Sequence, residues 1–160
     1  LCKNITILGL GNILLKDEGV GVWIAEEIAR RSLPDNVEII DGGTAGLDIL
    51  TSMKDVDKLI IIDALQGNEK PGTVYRLHPE DVPAPSDSYV SVHQMNILEG
   101  LSIAQKTGNA PQETVIIGVE PEEMDWGLGV TPDIKQKFPE IIDIVLEEVK
   151  NDCYRKEANN

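Results

Sequence analysis

The chain has 160 residues, 41% of them apolar and 26% charged, and a formal net charge of −14. That length and composition suit one soluble globular domain with a proper core. The acidic excess argues against nucleic acid, whose phosphates need Lys and Arg, and against an anionic membrane surface; most of it reads as solubilising charge.

Residues 5–8 are an unbroken apolar run that predicts a strand buried on both faces of a sheet. A tight turn at Gly9 and Gly11 follows, then Asn12, the acidic pair Asp17-Glu18, and a predicted helix over 19–31 with Val20, Ile24 and Ile28 on one face. Leu33-Pro34-Asp35-Asn36 is a turn. Residues 37–40 form a second buried strand ending in Asp41, and a glycine loop, 42–46, leads to a short helix over 47–53. A third buried strand over 59–62 also ends in an acid, Asp63.

Residues 67–72 are a polar loop, and the alternation over 73–77 predicts a fourth strand near an edge. Residues 78–92 form a long irregular segment with Pro79, Pro83 and Pro85, of a length that is often functional. His78 in that segment is expected to be exposed and inert. A helix over 93–106 follows, with Ile97, Leu101 and Ala104 on one face, then a fifth strand over 114–119 and an acidic loop over 120–129 that contains Trp126. Thr131 as N-cap and Pro132 in the first turn predict a last helix running to about residue 151. Its inward face is Phe138, Ile141, Ile142, Val145 and Val149, and Pro139 should kink or restart it.

Strands alternating with helices predict a three-layer α/β/α sandwich around a twisted five-stranded, mostly parallel sheet. The first three strands should be parallel. The connection between the third and fourth is too short for a helical crossover, so at least one of the last two strands is expected to run antiparallel. The domain is expected to span residues 1–153, with a loose tail over 154–160. Cys2 and Cys153 lie near opposite ends with no CxxC, which points to a reducing, cytoplasmic compartment. No run approaches the roughly 18 apolar residues of a membrane span, and the first strand starts too early to leave room for a signal peptide.

The chemistry gathers at one edge. Glu18, Asp41 and Asp63 each follow a buried strand, and parallel strands bring such acids to the edge where open α/β sheets bind ligands. For any one of them a helix cap or turn is an equal reading. Asp41 and Asp63 sit directly behind apolar runs, where desolvation without a cation is costly. His93 lies between the long segment and an apolar-faced helix, and the residues alone leave it as a structural hydrogen-bonder or a ligand. One imidazole with two carboxylates would bind a borderline divalent ion such as Zn²⁺ or Ni²⁺ weakly, as suits a metal shared with a partner. Dinucleotide binding competes weakly: Gly9 and Gly11 fit that fingerprint, but Leu14 takes the place of its third glycine, and Asp17 and Glu18 oppose a pyrophosphate. No GxSxG or HExxH is present.

LGLGNILLKDEGVGV, EIIDGGTAGLDIL, LIIIDAL, SVHQMN and GVEPEEMDWGLGVTP together resemble the nickel–iron hydrogenase maturation endopeptidases, in order and spacing, from Ile5 to Val149. The acidic pair Asp-Glu is a variant of the family pattern. The resemblance implies a metal-dependent or aspartic-type endopeptidase. Its substrate would be the precursor of a hydrogenase large subunit, from which it removes the C-terminal extension after nickel insertion. It implies a metal-binding triad of Glu18, Asp63 and His93, with Asp41 a further acid of the catalytic pattern. Nickel would be supplied by the precursor, and other divalent ions would be able to substitute. A nickel carrier without peptidase activity, a nucleotide-binding module and a more distant germination-type protease are the rival readings.

Overall fold

A computed structural model of the chain describes residues 2–82 and 92–154, and the side chains of residues 92–95, 153 and 154 fall outside that description. Strand β1 (Ile5–Leu10) is buried at all six positions, as its apolar run requires. A single 3₁₀ turn, Lys16–Gly19, leads into helix α1 (Val20–Ala29), where Val20, Ile24 and Ile28 are buried. Strand β2 (Val37–Gly43), helix α2 (Gly46–Ser52) and strand β3 (Lys58–Ala64) complete the first half. Strand β4 (Val74–Leu77), helix α3 (Val92–Lys106), strand β5 (Glu113–Val119) and helices α4 (Pro132–Gln136) and α5 (Phe138–Tyr154) complete the second.

The sheet order is β2-β1-β3-β5-β4. Strands β1, β2, β3 and β5 are parallel, and β4 pairs antiparallel with β5 at the edge, as its short connection demands. Strand β2 is the other edge, and it is only half-buried rather than buried on both faces. Odd positions of β1 (Ile5, Ile7) face α1 and α5 and pack with Ile60, Ile62 and Val145; even positions (Leu8, Leu10) face the other layer and pack with Leu50, Ile61 and Ile97. Each fully buried aliphatic side chain contributes about 1.5–3 kcal/mol, so both layers are firmly held to the sheet.

Helix α5 restarts at Phe138, one residue before Pro139, and runs to Tyr154 rather than ending near residue 151. A missing amide does no harm in a first turn, which explains the restart in place of a kink. The long segment opens with one 3₁₀ turn, Pro79–Asp81. His78 is not inert: its Nδ1–H donates to the Thr114 carbonyl, 3.2 Å away, and ties that turn to β5. Pro83 and Pro85, and residues 155–160 of the expected tail, lie outside the described residues. No helix among the described residues is long and apolar enough to cross a membrane.

Candidate functional site

Two glycines set the approach of α1 to the sheet. A Cβ on Gly21 would lie 2.0 Å from the Ile62 carbonyl, so only glycine lets α1 press against the end of β3, one residue before Asp63. Gly11 has φ +135°, and a Cβ there would meet the Glu18 carbonyl at 2.0 Å. The loop between them therefore folds back tightly, and Glu18 is carried on the 3₁₀ turn beside the end of β3.

Asp63 is 4% exposed. Its Oδ1 accepts the Ala64 amide at 2.9 Å, and its Oδ2 is buried with no hydrogen-bond partner among the described residues. Burial pushes its pKa up to about 7; the Ala64 hydrogen bond opposes that shift, and the nearby Glu18 charge adds to it. The apolar pocket that borders it, lined by Leu65, Val82, Ile97, Leu98 and Ile116, accounts for the desolvation. Gly118, paired with Asp63 across the β3–β5 ladder, gives its place to the Leu65 side chain: a Cβ there would lie 2.8 Å from the Leu65 Cβ. Glu18 is half-buried, with Oε2 withdrawn from solvent. A buried carboxylate oxygen with an open acceptor position beside a second carboxylate is a fit for a cation or a proton.

Asp41 does not join this pair. It is in register with Gly9, which faces α1, whereas Asp63 follows Ile62 and faces the α2–α3 layer. The β2 strand lies two ladder spacings from β3, roughly 10 Å. Asp41 is exposed, not desolvated, and its Oδ1 accepts the Gly43 amide at 3.1 Å. A bulge shifts the register between Gly9 and Leu10, so that Leu10 pairs with Gly43. That bulge turns the glycine loop, and Asp41 braces it. His93 sits in the first turn of α3, and its side chain lies outside the described residues. Among the described residues no group of three His, Cys, Asp or Glu side chains converges to hold a metal ion.

Asp17, read in the sequence as half of an acidic pair with Glu18, is the anchor of the site. It is fully buried. Its carboxylate accepts the amides of Glu122 at 3.0 Å, Glu123 at 2.9 Å and Thr131 at 2.7 Å, and the Thr131 hydroxyl at 2.9 Å. Thr131 stands at the N-cap of α4 as expected, but its side chain is committed to Asp17 and does not cap the helix. Asp17 thus fixes the loop after β5 to the loop that carries Glu18. Asp17→Asn replaces an acceptor with a donor against amide donors, and is expected to lower stability by about 2 kcal/mol. Hydrogen exchange should accelerate at the Glu122, Glu123 and Thr131 amides; unchanged protection there would contradict the anchoring role.

A family model of the HycI hydrogenase maturation proteases matches residues 22–148. The hydrogenase 2 maturation protease of Escherichia coli K12 is 40% identical over 149 residues, 92% of this chain and 91% of that protein. The hydrogenase expression/formation protein HupD of Bradyrhizobium diazoefficiens is 38% identical over 148 residues, 91% of this chain and 77% of that one. Among solved structures, the hydrogenase maturating endopeptidase HybD from E. coli is similar with a TM-score of 0.83 at 40% identity, over 92% of this chain and 93% of that one.

Proposed function

The chain belongs to the hydrogenase maturation proteases, and from that premise we propose that it removes the C-terminal extension of a nickel–iron hydrogenase large-subunit precursor after nickel insertion. The observation that carries the proposal is the buried Asp63 Oδ2, without a hydrogen-bond partner among the described residues and close enough to Glu18 to feel its charge. Two carboxylates alone make a weak site for a divalent ion. A metal that arrives already held by the precursor needs no stronger one, and nickel is on this reading part of the substrate. Carboxylate and imidazole donors suit Ni²⁺, and Glu18, Asp63 and His93 would complete its coordination. The metal then supplies charge and a fixed point from which the scissile peptide is positioned.

The chain's own residues do the rest. Asp63 offers Oδ2 from a desolvated seat while its Oδ1 is fixed by the Ala64 amide. Asp17 fixes the turn that presents Glu18. The apolar pocket beside Asp63 excludes water from one flank. Asp41 braces the glycine loop, and that loop offers backbone groups to the substrate.

Intact-mass spectrometry of the precursor, loaded with nickel and free of it, tests the proposal after mixing with the protein. The expected result is loss of a C-terminal peptide from the loaded form alone. Cleavage of both forms would remove nickel from the reading, and no cleavage of a verified loaded precursor would overturn the peptidase assignment.

A further inference from the structure

Two loops beside the carboxylate pair hold large apolar side chains in solvent. Ile13 and Leu14 precede the turn that carries Glu18, and Trp126 and Leu128 come from the loop after β5; they are 37%, 47%, 78% and 74% exposed. Hydrogen bonds join the two loops into one backbone unit. Gly127 donates its amide to the Leu14 carbonyl at 2.9 Å, and Lys16 donates to the Gly127 carbonyl at 2.9 Å, in a bridge between Leu15 and Gly127. Asp17 clamps both loops from beneath. The backbone that displays these side chains is thus fixed before anything binds, which lowers the ordering cost of an interface. Beyond Leu128, Gly129 and Val130 join Trp23 and Phe138, together with charged side chains of both signs, in lining a groove of about 390 Å³ toward α1 and α5.

We propose that this ridge, Ile13, Leu14, Trp126 and Leu128, is the docking surface for the large-subunit precursor, which meets it with an apolar segment flanked by Lys or Arg. The inference rests on the proposed function and adds to it the place where the partner is gripped. Charge decides the occupant. Glu122, Glu123 and Asp125 are exposed on the Trp126 loop, and Lys16 beside them is paired with Glu123. A second copy of the chain would bring the same acidic rim and another −14 of net charge against it. A partner with basic residues around an apolar anchor is complementary in both respects. The ridge is also continuous with the site, since Leu14 lies on the same tight loop as Glu18. A precursor seated there has its metal-bearing segment within reach of the carboxylates.

The test is steady-state processing of nickel-loaded precursor by the wild-type protein and by Trp126→Ser/Leu128→Ser, with thermal unfolding and sedimentation velocity on both proteins. The variant is expected to raise KM about tenfold or more with kcat within about twofold, the signature of lost binding that is uniform along the reaction. The wild-type KM should also rise with salt. Both positions are exposed, so the melting temperature should not move. Unchanged KM in the variant, or a fall in kcat alone, would overturn the ridge while leaving the peptidase reading intact. A wild-type dimer that the variant abolishes would assign the ridge to a second copy and overturn it as well. A wild-type protein that leaves the loaded precursor uncut would overturn the proposed function, and the partner assigned here with it.

Discussion

Asp63→Asn is expected to give a protein that is inactive and, at pH 8, more stable than the wild type. The folded Asp63 carboxyl keeps its proton up to about pH 7, against 3.8 for an ordinary aspartate, because burial outweighs its single amide hydrogen bond. Between those values the folded protein binds more protons than the unfolded one, so this group lowers stability as pH rises from about 4 to 7. Above pH 7 the full penalty is present, up to about 4 kcal/mol. Asparagine has no proton to lose and keeps an acceptor for Ala64. The two proteins should therefore unfold alike near pH 4 and diverge through the interval, with the variant ahead at pH 8. Denaturant unfolding at pH 4.5, 6 and 8 reads this directly, and a constant gap across the three would refute the buried-charge account. Processing should fall by at least about 10²–10³-fold, the scale for removing one preorganised charged group from a reaction centre. A carboxylate kept where its charge lowers stability fits the role proposed for Asp63.

Lys58→Ala is expected to be the most damaging substitution away from the site, at about 3–5 kcal/mol. Lys58 opens β3 at the end of the sheet opposite Asp63 and is 2% exposed. Its Nζ lies 2.7 Å from Asp152 Oδ2, 3.0 Å from Glu148 Oε2 and 3.4 Å from Glu113 Oε1, and donates to the Glu148 carbonyl at 3.1 Å. Lys3 bridges Asp152 and Glu113, and Arg76 pairs with Glu148. Burial works to lower the Lys58 pKa, but Asp152 and Glu148 more than reverse that. Burial likewise works to raise the Glu148 and Asp152 pKa values, and the cations around them hold both below the ordinary range. Those two carboxylates add stability above pH 4 that is lost as acid protonates them. Removing Lys58 leaves both acids buried and short of a cation, at the point where α5 is tied to the sheet. Urea unfolding is the measurement, and a loss under about 1 kcal/mol would show that Lys3 and Arg76 suffice. The effect should be on folding alone, since the network stands at the far end of the strands from Glu18 and Asp63.

The layers and strand directions were legible because the strands are apolar runs of the right length, and because nine residues between β3 and β4 leave no space for a crossover helix. The site was legible only in part. Three acids behind three strands look equivalent in sequence, yet the pleat sends Asp63 and Asp41 to opposite faces, and the bulge at the end of β1 commits Asp41 to its own loop. Register is a non-local property, and an acid that ends an all-apolar run carries no alternation to reveal its face. Asp17 and Glu18 are adjacent acids with opposite fates for the same reason: the partners of Asp17 are amides more than 100 positions away. Lys58 reads as an ordinary charge before a strand, and only the return of α5 across that end buries it. Trp126 stands in the sequence as an aromatic in an acidic loop, whereas the hydrogen bonds that join this loop to the one carrying Ile13 and Leu14 link residues more than 100 positions apart.

The central claim is that Glu18, Asp63 and His93 complete the coordination of nickel brought by the precursor. Nickel K-edge X-ray absorption tests it most directly, on the loaded precursor alone and on the same precursor frozen with excess protein before processing is complete. The expected result is a gain of oxygen and nitrogen neighbours at nickel with the wild-type protein, reduced with Glu18→Gln and with His93→Ala while circular dichroism shows both variants folded. A nickel spectrum that the wild-type protein leaves unchanged, in a sample that goes on to be cut, would contradict the account.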